Sequence, residues 1–413
     1  LSSRRVLHVL SQRPSQTGSG ITLESMVTQA RAAGWDQAAV VGIPAGLDPV
    51  QVGNLPRSRI HPLTFAPSDP MATSGALDFP LPGMSDVMPY PSSVWSQLDS
   101  GQLDRYRAAW RTHLTAVIAD FRPNLIHTHH IWLVSSLLRS LAPDTPLVAH
   151  CHATGLRQLS LCPALAREVV DGCRAIDHFC VLRRDHRDQL ADTLGVPLTR
   201  ITVSGAGYRE DVFHPTDGGP PPERHLLYVG KFAQAKGLPW LLDAVDRLTV
   251  DHPEVRLHVA GGGAGAEAEN LRSRMAAMAP RVVMHGQVDQ ARLGDLMRTC
   301  RVMVLPSFYE GVPLVLVEAA ACGCRLVATD LPGVREQIAP ALGDRLIPVA
   351  LPRLQGMDTP DPADLPRFTD DLTAALAAAL STPLPAGGCD LSGFTWQAVW
   401  GRVERVWEGL LAP

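Results

Sequence analysis

The sequence predicts an α/β protein made of two doubly wound parallel-sheet domains, and three observations carry that prediction. Short apolar runs alternate with amphipathic helical segments along most of the 413 residues, the pattern of βαβ units. The alternation runs twice, from Arg5 to Val203 and from Leu226 to Ala328. Between the two series lies a breaker-rich stretch, Asp217-Gly-Gly-Pro-Pro-Pro222. The domains are therefore expected at residues 1–213 and 222–392, facing a cleft.

Arg5–Leu10 reads as the first strand. Ser15–Gly20 is a glycine-containing turn into a helix over Ile21–Ala33, and Gln37–Gly42 is the second strand. Residues 61–92 contain seven prolines and break the pattern, so they read as a long loop without regular structure, of the kind usually kept for function. A helix follows over Leu98–Asp120. Strands Leu125–His127, Leu147–His150, His178–Leu182 and Ile201–Val203 then alternate with helices Leu133–Ala142, Pro163–Arg174 and Arg184–Leu194.

The second series has strands Leu226–Val229, Arg256–Ala260, Val282–His285, Val302–Leu305 and Arg325–Ala328. Its helices are Trp240–Thr249, Glu267–Ala277 and Pro313–Cys322, with a later one over Leu372–Leu380. The last helix, 395–411, carries Trp396, Val399, Trp400, Val403, Val406, Trp407 and Leu410 at helical spacing. That stripe is a packing face.

Composition narrows the function classes. The chain is 46% apolar and 19% charged with a net charge of −4, so there is no bulk electrostatic case for nucleic acid. None of the eight cysteines forms a CxxC pair, and a chain this long needs no disulfide staples, which points to a reducing compartment. His150-Cys151-His152 alternates its side chains along a strand and lacks a second ligand pair, so no metal is expected. No apolar run is long enough for a membrane span. Val6–Leu10 reads as a core strand, not a leader segment. The reading is of a cytoplasmic protein, with peripheral membrane contact left open. Of the 37 basic residues only Lys231 and Lys236 are lysines, and both fall in one short segment.

The chemistry concentrates in Glu310-Gly-Val-Pro-Leu-Val-Leu-Val-Glu318-Ala-Ala-Ala-Cys-Gly323. Pro313 suits the first turn of a helix, which leaves Glu310 in the loop at its mouth and Glu318 inside an apolar helix. A carboxylate there needs a partner. Either it accepts hydrogen bonds from sugar hydroxyls or it pairs with a structural arginine.

At these residues the chain resembles the family 4 retaining glycosyltransferases, which have the GT-B fold of two Rossmann-like domains. Pro306-Ser307-Phe-Tyr-Glu310, the two glutamates eight apart, and Glu318-Ala-Ala-Ala-Cys-Gly323 carry the resemblance. Tyr228-Val-Gly230-Lys231, Lys236-Gly237, His285-Gly286-Gln-Val288 and Thr329-Asp-Leu-Pro-Gly333 follow the family's order. The Phe394-Thr-Trp396 helix resembles the segment that crosses back to the first domain. The likeness is specific over 225–340 and weaker over 1–210.

The resemblance implies transfer of a hexosyl group from a nucleotide-diphosphate sugar, a UDP-sugar being favoured. It implies no metal or other cofactor. Lys231 and Lys236 would hold the diphosphate, where fixed cations stabilise the charge that grows on the leaving group. Glu310 would contact the donor sugar and Glu318 the ribose. Gly230, Gln287, Val288, Gly311, Val312, Pro313 and Leu314 would line the donor site, and Gly20 would approach the phosphates from a helix start.

His129, in His127-Thr-His129-His130, matches the family's catalytic-face histidine, with His127 facing the core. His130 and His152 are rivals for that role and, with Met88 and Tyr90, candidates for the acceptor side. Domain closure would exclude water. The acceptor is a glycan, a lipid-linked precursor or a small metabolite. Lys231 stands where the family usually has arginine, Ser19 interrupts its paired glycines, and Ala206 stands at its usual asparagine in Ser204-Gly-Ala-Gly207. The alternatives are a catalytically silent nucleotide-sugar-binding protein on the same fold and a sugar-nucleotide epimerase.

Overall fold

Residues that alternate between buried strands and half-buried helices form two parallel sheets. The computed structural model describes residues 4–412 except 16, 47–49, 68–74, 86, 87, 89, 153, 217–222 and 385–388. The chain divides into two compact units, Leu1–Gly207 with Trp396–Pro413, and Tyr208–Thr395.

In the first unit the strands are β1 (Arg5–Leu10), β2 (Asp36–Pro44), β3 (Ile60–Phe65), β4 (Leu125–His129), β5 (Leu147–Cys151), β6 (His178–Val181) and β7 (Ile201–Val203). They lie in the order β3-β2-β1-β4-β5-β6-β7, and every pairing is parallel. The order reverses between β1 and β4. In open α/β sheets that switch point, at the carboxyl ends of the strands, is where ligands bind. The helices are α1 (Gly18–Ala32), α2 (Ser100–Phe121), α3 (Leu133–Leu141), α4 (Thr154–Leu161), α5 (Pro163–Cys173) and α6 (Arg184–Leu194).

The proline-rich segment differs from its sequence reading. It opens with β3, an edge strand in which Pro62 sits opposite Val41. An edge strand tolerates a residue that cannot donate outward. Beyond it, Leu77, Phe79, Leu81, Met84 and Tyr90 are buried in the core with Trp95. Their backbone is tied back by Ala66 N–H to Phe79 O (3.0 Å) and Gly83 N–H to Ser93 O (3.0 Å). The described part of this segment is thus core cover, not an open loop.

The second unit contains β8 (Glu223–Lys231), α7 (Leu238–Asp251), β9 (Leu257–Gly262), α8 (Ala266–Ala277), β10 (Val282–Gly286), α9 (Gln290–Thr299), β11 (Cys300–Leu305), α10 (Leu314–Ala321), β12 (Arg325–Thr329), α11 (Ala339–Leu342), β13 (Leu346–Val349) and α12 (Leu365–Ser381). Its sheet has the order β10-β9-β8-β11-β12-β13, again parallel, with the switch between β8 and β11. The elements α4, α9 and β13 have no counterpart in the sequence reading, and α12 begins seven residues before its expected start, at Leu365.

The last helix, α13 (Trp396–Leu411), belongs to the first unit. Trp396, Val399, Trp400, Val403 and Trp407 are buried. Trp407 meets Trp35 and Trp400 edge-on at 4.9 Å and lies 5.4 Å from the His127 ring. Arg402 Nε donates to Ser204 O at 2.8 Å. All eight cysteines are free thiols. Among the described residues no helix is long and apolar enough to cross a membrane.

Candidate functional site

In the second unit two loops are held together by backbone contacts that demand glycine. Gly237 has φ +69°, and a Cβ there would stand 2.0 Å from Pro306 O. Only glycine tolerates both the left-handed conformation and that approach. Phe308 N–H donates to Ala235 O at 3.0 Å, so the Lys236 turn and the Ser307–Glu310 loop run against each other. Lys236 Nζ then donates to Glu310 Oε1 at 2.8 Å and to Tyr309 O at 3.1 Å. Both side chains of the ion pair are mostly buried. The same economy recurs at Gly261, where φ is +133° and a Cβ would fall 1.9 Å from Gly230 O.

Lys231 ends β8 and is exposed. Its carbonyl accepts from the Tyr228 hydroxyl at 2.7 Å. A Cβ at Gly230 would stand 2.8 Å from that hydroxyl, so the glycine makes room for it. Tyr228 is a contributor that its sequence, an ordinary core strand, does not announce. Burial and the nearby Glu310 carboxylate push its phenol well up.

The helix after the loop begins one residue later than expected. Pro313 is the cap, and α10 starts at Leu314. Gly311, Val312 and Leu314 are partly exposed at its mouth. Glu318 lies in the second turn, partly buried, and no residue pairs with it among those described. Desolvation alone pushes its carboxyl up to about 7. Of the two sequence readings of Glu318, the pairing with a structural arginine is therefore the one the structure removes. Gln287 and Val288 lie between Gly286, at φ +68°, and Asp289, whose side chain caps α9 by accepting from Arg292 N–H at 2.8 Å. Gln287 is exposed, and the space above Gly262 faces its side chain, with a Cβ there 3.5 Å from Gln287 Cγ.

In the first unit five imidazoles share one face at the β1–β4–β5 centre of the sheet. His8 pairs in register with His127, and His129 with His150. His127 and His129 stack at 5.1 Å, His129 and His150 at 5.8 Å, and His150 and His152 at 4.7 Å. Burial pushes all five rings below the ordinary histidine range, His8 and His150 to about 4. They are neutral at physiological pH.

His129 is only 2% exposed. Its Nδ1 lies 3.1 Å from His152 Nε2, and its buried Nε2 has no partner among the described residues. His152, one residue past β5, keeps contact with solvent. The ring of this pair that reaches the surface is thus His152. His130 is also buried. It sits at φ +71°, with Nδ1 3.2 Å from Thr154 Oγ1 and its N–H donating to His150 O at 2.9 Å.

Two further candidates change character. Tyr90 is a core residue, with its phenol pushed up to about 12 by burial, so it does not form an acceptor wall. Gly20 donates its N–H to Thr17 Oγ1 at 3.2 Å, and a Cβ there would meet Ser15 N at 2.7 Å. That glycine serves close packing of the α1 start, and its amide is capped rather than open to an anion. Met88 is half-buried, with its Sδ 3.9 Å from Gln12 Nε2.

Comparison with known proteins agrees with this arrangement. The family model "Glycosyltransferase Family 4" matches residues 54–211, and "Glycosyl transferases group 1" matches residues 223–352. A glycogen synthase of Mycobacterium tuberculosis is 28% identical over 342 residues, covering 78% of this chain and 76% of that protein. A phosphatidyl-myo-inositol mannosyltransferase of the same organism is 27% identical over 379 residues, covering 89% and 93%. Among solved structures, sucrose-phosphate synthase from Thermosynechococcus elongatus superposes with a TM-score of 0.63 at 18% identity, over 98% of this chain and 99% of that one. The chain belongs to glycosyltransferase family 4 and is an enzyme of glycosyltransferase type with the GT-B fold.

Proposed function

We propose that the protein is a retaining hexosyltransferase that uses a UDP-sugar and needs no metal. The observation that carries this reading is the pairing of Lys236 with Glu310, followed along the chain by a desolvated Glu318 that has no partner among the described residues. A cation for the diphosphate and one carboxylate stand on adjoining loops of one unit, and a second carboxylate stands in the helix that follows. Lys231 supplies a second cation. Lysine acts on a phosphate as a point charge, without arginine's bidentate fork. Support for the nucleotide comes from fold neighbours solved with UDP, including an Anabaena protein bound to UDP and glucose and a pneumococcal O-GlcNAc transferase bound to UDP and GlcNAc.

On this reading Gln287 and Val288 meet the base and Glu318 accepts from the ribose diol. Glu310 and the backbone of Gly311–Leu314 hold the hexose. The bond from the anomeric carbon to the β-phosphate oxygen breaks, and the acceptor oxygen bonds to that carbon on the same face. The acceptor's proton passes to the departing phosphate. Lys231 and Lys236 stabilise the negative charge as it develops. The mannosyltransferase and glycogen synthase relatives favour a lipid-linked or glycan acceptor.

The test is turnover of UDP-, GDP- and ADP-sugars with glycan and lipid acceptors, in EDTA, with the product anomer read by NMR. Retention with a UDP-sugar in EDTA supports the reading. Inversion, or activity restored only by a divalent cation, contradicts it.

A further inference from the structure

Three arginines stand where the last strands of the second unit begin. Arg301 is the second residue of β11, Arg325 is the first of β12, and Arg345 directly precedes β13. These strands are neighbours in the sheet, with Val302 opposite Arg325 and Leu326 opposite Leu346. Both pairings are parallel, so the cluster lies at the amino end of the sheet. The Lys236 and Glu310 loops lie at the other end, after β8 and β11.

Backbone carbonyls hold the three side chains in place. Arg301 Nη2 donates to Thr382 O at 3.0 Å, Arg325 Nη2 to Pro383 O, and Arg345 Nη1 to Gly323 O at 3.1 Å. Thr382 and Pro383 follow the end of α12, and Gly323 follows that of α10, so helix C-terminal dipoles offset part of the positive charge. The rest is not offset. Arg325 is buried, and the Nε atoms of Arg301 and Arg325 are sealed without a partner among the described residues. Burial and the neighbouring Arg301 and Arg345 guanidiniums hold Arg325 below the usual arginine range, and the opposing carboxylate, Asp344, is exposed. A buried charge beside like charges is costly until a counter-ion joins it.

Arg345 brings this charge to a cleft of about 950 Å³, the size of pockets that enclose small metabolites. Gly323 and Leu384, next to the carbonyls that hold the cluster, also line it, as do Glu210, Cys389 and Asp390. Every lining residue belongs to the second unit. Arginine's planar fork suits a phosphate. The two carboxylates repel an anion but accept hydrogen bonds from hydroxyls. The lining is therefore complementary to a molecule with a phosphate at one end and hydroxyls elsewhere.

We propose that this cleft is a second ligand site, which takes a hydroxylated phosphomonoester of sugar-phosphate size. Its phosphate sits on Arg345, with Arg325 and Arg301 behind, and its hydroxyls meet Glu210 and Asp390. The site is separate from the donor loops and does not rest on the reading of them.

The experiment is calorimetric titration of the full chain with glucose 6-phosphate, inorganic phosphate and glucose, repeated on Arg345→Gln and Lys236→Ala. Glucose 6-phosphate is expected to bind the wild type at least about tenfold more tightly than either fragment. Arg345→Gln should weaken it by about 10- to 100-fold, the loss of charge-assisted hydrogen bonds. Lys236→Ala should leave it unchanged. Cys389 lines the cleft, and the other seven cysteines are buried, so glucose 6-phosphate should also slow alkylation of Cys389 by iodoacetamide, read by mass spectrometry on the wild type. No binding at millimolar concentration overturns the proposal. So does equal affinity for glucose 6-phosphate and inorganic phosphate, or binding that is lost in Lys236→Ala and kept in Arg345→Gln. Alkylation of Cys389 that the ligand does not slow overturns it as well, and this measurement decides if Arg345→Gln does not fold.

Discussion

Lys236 Nζ lies 2.8 Å from Glu310 Oε1 and 3.1 Å from Tyr309 O, so the single cation of its turn is bound to the loop that opens α10. The pair places opposite charges where a diphosphate and a hexose are proposed to meet. Removing the cation leaves a partly buried carboxylate facing incoming phosphate. Lys236→Ala is expected to lower donor turnover by about 10²- to 10³-fold, the usual loss for a fixed group that stabilises transition-state charge. Steady-state rates of nucleoside diphosphate release check this.

Glu318 makes stability depend on pH. Its folded carboxyl is raised to about 7 from an ordinary 4.5, so between those values the folded state holds a proton that the unfolded state has lost. Stability from this group is greatest below about pH 4.5 and declines as pH rises to 7, by on the order of 3 kcal/mol. Glu318→Gln should remove that slope and raise the thermal midpoint at pH 8. A midpoint unchanged by the substitution at pH 8 would sink the claim that the carboxylate is unpaired.

The same carboxyl links nucleotide binding to protons. If the ribose hydroxyls bind the ionised form, UDP affinity should be roughly tenfold weaker at pH 6 than at its plateau above pH 8, with proton release on binding. Calorimetry in buffers of different ionisation enthalpy reads both quantities.

Gly237 is required by its geometry rather than by any ligand. Gly237→Ala puts a methyl 2.0 Å from Pro306 O at a positive φ. The expected cost is at least about 2 kcal/mol, together with weaker UDP binding as the Lys236 turn shifts. Urea unfolding gives the first figure and titration the second.

Tyr90 separates the core reading from the acceptor-wall reading. Tyr90→Phe should change stability by only about 1 kcal/mol, whereas Tyr90→Ala should cost about 3–5 kcal/mol through the cavity it leaves. Unfolding midpoints of the two variants check this. A Tyr90→Ala variant as stable as Tyr90→Phe would return the residue to the surface.

The doubly wound architecture was legible because buried parallel strands such as β1, β4 and β11 are short apolar runs framed by turns. The edge strand β3 was not. Pro62 masks it, and an edge position is what makes Pro62 tolerable. The amphipathic signal of α9 is interrupted by Gly294, and α4 is a short helix of eight residues. In the candidate site, Glu310, Glu318 and Lys236 could be picked from spacing because they are charges set in apolar or glycine-rich runs. Tyr228 and the approach of Gly237 to Pro306 could not, since they depend on which loops meet. Histidine spacing also marked a cluster at the ends of β4 and β5. Which ring reaches solvent depends on a contact between strands, and there the structure sets His152 in front of His129.

The most direct test is thermal stabilisation by UDP, GDP, ADP and their sugars, with Lys236→Ala and Glu318→Ala alongside the wild type. A ligand that binds only the native state raises the midpoint. The account predicts that UDP and a UDP-sugar stabilise the wild type and neither variant. No shift with any nucleotide at millimolar concentration, or an equal shift in the variants, would contradict it.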